Sequence, residues 1–162
     1  MKKLLLALGV AALLAGCAAN PYNASGVQPG TGRDAVVSRL GQPTRVVRLP
    51  AGMERLQYSL QPFGQSAWMI DLDPAGRVVR SRQVLTAAEF NRIEVGTWTR
   101  EDVEREFGPP ARIDGVASWN GPIMTYRWND GSDMFYWVYL DARDRVQRAH
   151  PGMEFVNAPD RD

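Results

Sequence analysis

Gly30-Thr31-Gly32-Arg33-Asp34-Ala35-Val36-Val37-Ser38-Arg39-Leu40-Gly41-Gln42-Pro43 is answered later in the chain by Gly96-Thr97-Trp98-Thr99-Arg100-Glu101-Asp102-Val103-Glu104-Arg105-Glu106-Phe107-Gly108-Pro109-Pro110. The Gly-Thr pair recurs at an offset of 66, and Val36, Leu40, Gly41 and Pro43 recur as Val103, Phe107, Gly108 and Pro110 at 67. Further on, Tyr58, Leu72, Asp73 and Val78 recur as Tyr126, Leu140, Asp141 and Val146 at 68. Two single-residue insertions account for the drift, and both fall in turn-like sequence. Register kept over this length, with apolar positions and punctuation preserved together, marks a duplicated unit.

Each copy reads as a helix followed by strands. Val36 and Leu40, like Val103 and Phe107, lie four apart and make a narrow apolar stripe. Gly41 and Gly108 stop the helices, with Pro43 and Pro110 two residues on. Thr99 and Asp102 form a capping box, with Trp98 and Val103 as its hydrophobic staple. A short extra helix over Ala87–Arg92, capped by Thr86 and Glu89, precedes the second copy. Strands are expected at Arg55–Leu60, Ala67–Leu72 and Arg77–Gln83, and again at Ile123–Trp128, Met134–Leu140 and Arg145–Arg148, separated by turn sequences such as Asp73-Pro74-Ala75-Gly76 and Asn129-Asp130-Gly131-Ser132. Arg45–Leu49 and Ala111–Asp114 are candidate additional edge strands. The expected class is therefore α+β: two tandem units, each a helix and a three-stranded antiparallel meander, with the helices packed on one sheet face.

The N-terminus carries an address. Met1-Lys2-Lys3 is followed by twelve apolar residues, Leu4 to Ala15, which cover roughly 18 Å as a helix, too short for about 30 Å of hydrocarbon. Leu14-Ala15-Gly16-Cys17 resembles a bacterial lipobox, in which Cys17 is acylated and becomes the new N-terminus. Three acyl chains at about 0.8 kcal/mol per buried CH₂ anchor the chain durably. Ala18, in place of Asp, resembles the Gram-negative signal for delivery to the outer membrane, so the expected location is the periplasmic side of that membrane. Residues 1–16 are the signal, 17–29 the lipidated cysteine and a flexible tether, 30–84 and 85–150 the two units, and 151–162 a C-terminal tail.

Charge and composition exclude several functions. With both lysines in the signal, the mature chain holds 17 Arg against 18 Asp and Glu, leaving no basic excess for a phosphate backbone. One cysteine and one histidine cannot make an internal disulfide or a Cys/His zinc site. His150 has no nucleophile elbow beside it. Asp71-x-Asp73-x-x-Gly76 is a fragment of a calcium loop whose twelfth position is Arg82 instead of a bidentate Glu, and a hairpin turn explains it better. No catalytic residue, metal, cofactor or small-molecule substrate is expected.

The run from Leu85 through Thr86, Glu89-Phe90, Ile93-Glu94-Val95-Gly96-Thr97 and Val103 to Gly108-Pro109-Pro110 resembles the SmpA/OmlA family of small outer-membrane-assembly lipoproteins, which includes the smallest lipoprotein subunit of the β-barrel assembly machine. That family carries one unit where this chain carries two, and Trp98-Thr99 includes one extra turn residue. The tandem arrangement is similar to the secreted β-lactamase-inhibitor proteins, which grip a protein with the sheet face. The resemblance implies a membrane-anchored, non-enzymatic protein that binds an envelope or outer-membrane protein in assembly or maintenance. The alternative it implies is an inhibitor-like module that captures a periplasmic or secreted enzyme. An envelope hydrolase is a third class without residues to support it.

Comparing the copies separates the two faces of one strand. Trp68, Ile70 and Leu72 align with Tyr136, Val138 and Leu140, apolar in both and therefore core-facing. The alternate positions are Ala67, Met69 and Asp71 in the first copy but Phe135, Trp137 and Tyr139 in the second, with Arg127 and Arg145 on neighbouring strands also expected to point outward. Either this aromatic row packs between the two units, or it is an exposed anchor surface of the Trp/Tyr/Arg type found at binding hot spots. Arg127, Phe135, Trp137 and Tyr139 are the candidate partner-binding residues.

Overall fold

The structure, a computed structural model, describes residues 22–154; Cys17 and the signal lie outside the described residues. Two four-stranded antiparallel sheets dominate it. The first is β1 (Arg45–Arg48), β2 (Glu54–Ser59), β3 (Ala67–Leu72) and β4 (Val78–Gln83); the second is β5 (Arg112–Asp114), β6 (Ile123–Asn129), β7 (Asp133–Leu140) and β8 (Val146–Met153), each in sequential order. The helices are short: α1 (Arg33–Leu40), α2 (Ala87–Phe90) and α3 (Arg100–Phe107).

This corrects the expected α+β class of two helix-plus-three-strand units. Each meander gains a fourth strand, and the helical part is small. The candidate edge strands over Arg45–Leu49 and Ala111–Asp114 both form, as β1 and β5, although each pairs on one side only and keeps most of its side chains in water; Val46 of β1 and Ile113 of β5 are both exposed. Such strands carry neither clean alternation nor a buried apolar run. Two-turn helices burying two side chains each cannot supply a layer for a four-stranded sheet.

The two sheets share one register. Tyr58 stands opposite Trp68 and Leu56 opposite Ile70 in the first, as Tyr126 stands opposite Tyr136 and Met124 opposite Val138 in the second. A bulge interrupts the third pairing at the same place, after Asp71 and after Tyr139. Asp73 Oδ1 accepts the N–H groups of Ala75 and Arg77, and Asp141 Oδ1 those of Arg143 and Arg145. Thus the Asp73 carboxylate shapes a hairpin turn, while Asp71 is buried against Arg55.

Two cores result. Val36 and Leu40 join Leu56, Tyr58, Ile70, Leu72 and Val78 on one face of the first sheet. Ala24 and Val27 are buried in that cluster and Tyr22 packs against it. The segment read as a free tether is therefore docked from Tyr22 onward, with the Tyr22 ring 5.4 Å from that of Tyr58. In the larger core, Phe90, Val103 and Phe107 pack with Met124, Tyr126, Val138, Leu140 and Val146, together with Ala67 and Met69 from the other face of the first sheet. Phe90 stacks on Tyr136 at 3.9 Å between centroids.

Both ends of α3 follow its sequence. Thr99 and Asp102 close a reciprocal capping box, and Gly108 at φ 81 terminates the helix. Burial pushes the Asp102 carboxyl up, but hydrogen bonds from the Thr99 N–H and hydroxyl and from Arg105 hold it below its ordinary range. At α2 only half of the expected box forms. Thr86 accepts from the Glu89 N–H, while the Glu89 carboxylate pairs with Arg82 and Arg92.

The back of α3 meets the first sheet through ions. Arg55 is bidentate to Asp71 at 2.5 and 3.0 Å and reaches Glu106 Oε1 at 2.9 Å. Glu106 Oε2 lies 3.3 Å from both Arg82 and Arg92. Gln57 Nε2 donates to the carbonyls of Glu104 and Arg105. Burial raises the Glu106 carboxyl, yet the Arg55 and Arg82 guanidiniums outweigh it and hold the group below its usual range. Such a network fixes the docking geometry more than it adds stability, because desolvation offsets much of the attraction.

Candidate functional site

The second sheet has one face in the large core and the other turned away from it. Strand register sets what the outer face carries, since residues directly opposite share a face. Tyr139 lies between Ile123 and Arg148, Trp137 between Thr125 and His150, and Phe135 between Arg127 and Gly152. The three rings are half-buried, while their alternates Tyr136, Val138 and Leu140 are buried. Of the two readings left open by the sequence, packing between the units is not what occurs. The first unit docks on α3 and the core side, through Ala67, Met69, Arg55 and Gln57.

The rings form a continuous row. Phe135 and Trp137 are 5.8 Å apart, Trp137 and His150 5.4 Å, and Tyr139 stacks on His150 at 5.4 Å and 21°. Trp119, from the β5–β6 loop, meets Tyr139 edge-on at 5.3 Å and is held by its Nε1–H donating to the Leu140 carbonyl at 2.8 Å. Trp137 leans across Gly152; a Cβ there would sit 2.2 Å from the indole. Only glycine at 152 lets the indole lie down on β8. Beside the row is a depression of about 500 Å³ lined by Arg112, Asp114, Gly115, Val116, Ile123, Trp137 and Tyr139.

Cations overlie the row. The Arg148 guanidinium sits 3.8 Å above Tyr139 and 5.6 Å from Trp119, and Arg112 lies 5.1 Å over Phe135. Arg112 also pairs with Asp114 at 2.5 Å. Neither Arg112 nor Arg148 was a sequence candidate. For Arg148 the bulge after Tyr139 is the reason: it skips Gln147 and sets Arg148, not Arg145, on the outer face. Arg145 instead bridges to Thr99 and donates to the Thr97 carbonyl.

Arg127 is on the face but its head group is engaged. It pairs with Glu154 at 2.8 Å and donates to the Phe63 carbonyl at 2.7 Å. Its backbone N–H and C=O are both taken by the Gln61 side chain, at 3.1 and 2.7 Å. The β2–β3 loop of the first unit is thereby latched to the second sheet. This latch holds the backbone of Phe63, whose side chain is 89% exposed, against the Arg127 guanidinium. His150, dismissed as a catalytic group, belongs to the row as a ring.

No helix among the described residues is long and apolar enough to cross a membrane.

No family model matches the chain, and no curated protein matches it. Among solved structures the chain is similar to a DUF4309 family protein (YjgB) from Bacillus subtilis, at 16% identity over 80% of this chain and 84% of that one, with a TM-score of 0.31. It is also similar to a cysteine-rich secretory protein from Staphylococcus aureus, at 13% identity over 83% of this chain and 49% of that one, with a TM-score of 0.30. Likenesses of this size carry no argument about what the protein does.

Proposed function

We propose that this is a non-enzymatic, lipid-anchored envelope protein that binds another protein through the outer face of its second sheet. What supports the binding role is one observation: Phe135, Trp137 and Tyr139 stay half-exposed on a face that the first unit touches only at Arg127. Three large rings in one row are the composition of a binding hot spot rather than of an inert surface. The first sheet has Ala67, Met69 and Asp71 at the aligned positions, buried against α3 and its core, whereas the second sheet carries three half-exposed rings there. Anchoring at Cys17 on the periplasmic side of the outer membrane rests on the lipobox, and the assembly or maintenance role rests on the resemblance to SmpA/OmlA lipoproteins.

The second reading, an inhibitor-like capture module, is favoured by the tandem arrangement and by the exposed Phe63 on the loop latched to Arg127. Pull-down from detergent-solubilised envelope, using the acylated protein beside its Trp137→Ala variant, separates the two. Outer-membrane assembly subunits lost in the variant support the first reading, and a soluble enzyme lost in the variant supports the second. Equal capture by both forms overturns the docking face. Intact mass of the membrane-extracted chain should show residues 17–162 plus three acyl chains; an unlipidated species removes the localisation.

A further inference from the structure

We infer that the segment docking on this face is acidic: an extended stretch of a partner protein that seats an apolar side chain in the depression beside Trp137 and offers a carboxylate to Arg148. The inference rests on the aromatic face being the docking surface.

Charge on the face carries it. Of the carboxylates on this face, Asp114 is paired with Arg112 and Glu154 with Arg127, while Asp133, at the opposite end of β7 from Tyr139, accepts from the Gln65 and Asn129 amides. Among the described residues no carboxylate pairs with Arg148; its guanidinium contacts are the Tyr139 and Trp119 rings. A guanidinium lying flat on a ring keeps its N–H edge free, and that edge is the fork that takes a carboxylate in bidentate fashion. The ring beneath also shields the pair on one side, which strengthens it relative to a fully hydrated ion pair. At the Tyr139 end of the face the unpaired charge is thus positive, that of Arg148.

The depression supplies the apolar half. Val116 and the rings of Trp137 and Tyr139 line it, with Ile123 at only 4% exposure among them. At about 500 Å³ it has the volume to receive one large side chain, and the Arg112–Asp114 pair at its wall is mutually neutralised.

The test is selection of a random peptide library displayed on phage against the acylated protein in detergent micelles. Enriched peptides should place Asp or Glu next to a bulky apolar residue. Synthesised, they should bind at least tenfold more weakly to Arg148→Gln and to Val116→Asp, two exposed substitutions that leave the fold intact, and more weakly at higher salt. Neutral or basic peptides that nonetheless lose binding to Trp137→Ala or Val116→Asp overturn the acidic partner and leave the docking face standing. Peptides indifferent to all three variants, or no enrichment, overturn both.

Discussion

The phenol of Tyr126 donates to the carbonyl of Gly108 at 2.8 Å. The bond joins the middle of β6 to the residue that ends α3, so strand and helix are tied where the chain reverses. Tyr58 makes the same bond to Gly41 at 3.0 Å in the first unit. A buried carbonyl at a helix end needs a donor, and here a side chain supplies it. Removing the hydroxyl as Tyr126→Phe should cost about 1–3 kcal/mol, the penalty of an orphaned buried acceptor, read from denaturant midpoints. Burial also drives this phenol well above its ordinary value of 10.0. Its stabilising contribution is complete below pH 10 and declines above it, because only the unfolded state releases the proton. Ultraviolet titration should show Tyr126 ionising only with unfolding; early ionisation would contradict the packing.

Glu106 makes docking of the units pH-dependent in the opposite direction. Its folded pKa lies below the ordinary 4.5, so the unfolded state takes up the proton first as pH falls. The contribution is complete at neutral pH and is lost progressively below about pH 4.5 as the folded pKa is approached. Glu106→Gln should destabilise by about 3–5 kcal/mol at pH 7, in the range for breaking a buried ion pair, and should flatten the stability profile between pH 5 and 3. An unchanged acid limb would assign the loss to other carboxylates.

Gly152→Ala should act on the binding face without unfolding the protein. The added Cβ collides with the Trp137 indole, which turns outward into solvent while β8 keeps its pairing. Trp137 fluorescence should shift to the red and partner affinity should fall as it does for Trp137→Ala, where a hot-spot loss of about 2 kcal/mol or more is expected. A large loss of stability with unchanged affinity would assign the row to the fold.

Leu72→Ala and Leu140→Ala remove aligned, buried side chains from the two cores. Each should cost about 2–5 kcal/mol as a large-to-small change. Hydrogen exchange should show the loss spread through the mutated unit's own core. A value below 1 kcal/mol for either would mean that the site collapses freely.

Gln61→Ala removes both side-chain bonds to the Arg127 backbone. Exchange at the Arg127 amide should accelerate, and global stability should drop by about 1–3 kcal/mol. Protection that survives would show that the Arg127 guanidinium, held by the Phe63 carbonyl and Glu154, is enough to keep the loop in place.

Internal repetition made part of this legible in one dimension. Tyr58 and Tyr126, Leu72 and Leu140, and the glycines closing α1 and α3 repeat in order because each answers a local demand: a buried alternate in a strand, or a left-handed stop after a helix. The capping box at Thr99 and Asp102 is equally local. The aromatic composition of one face of β7 also followed from alternation and comparison of the copies alone.

The rest is decided between elements. β1 and β5, candidates in the sequence, become full members of four-stranded sheets because a neighbouring strand offers them hydrogen bonds. Arg148 reaches Tyr139 because a bulge skips Gln147, a shift that period-2 alternation cannot foresee. Arg127 is consumed by Gln61, Phe63 and Glu154, two of them more than sixty residues away in sequence, and Arg55 and Asp71 are buried only because α3 brings Glu106 to them. Local chemistry in the sequence settles which residues cap, stop or alternate; contacts between distant segments settle which faces are covered, which charges are spent, and which rings stay open to a partner.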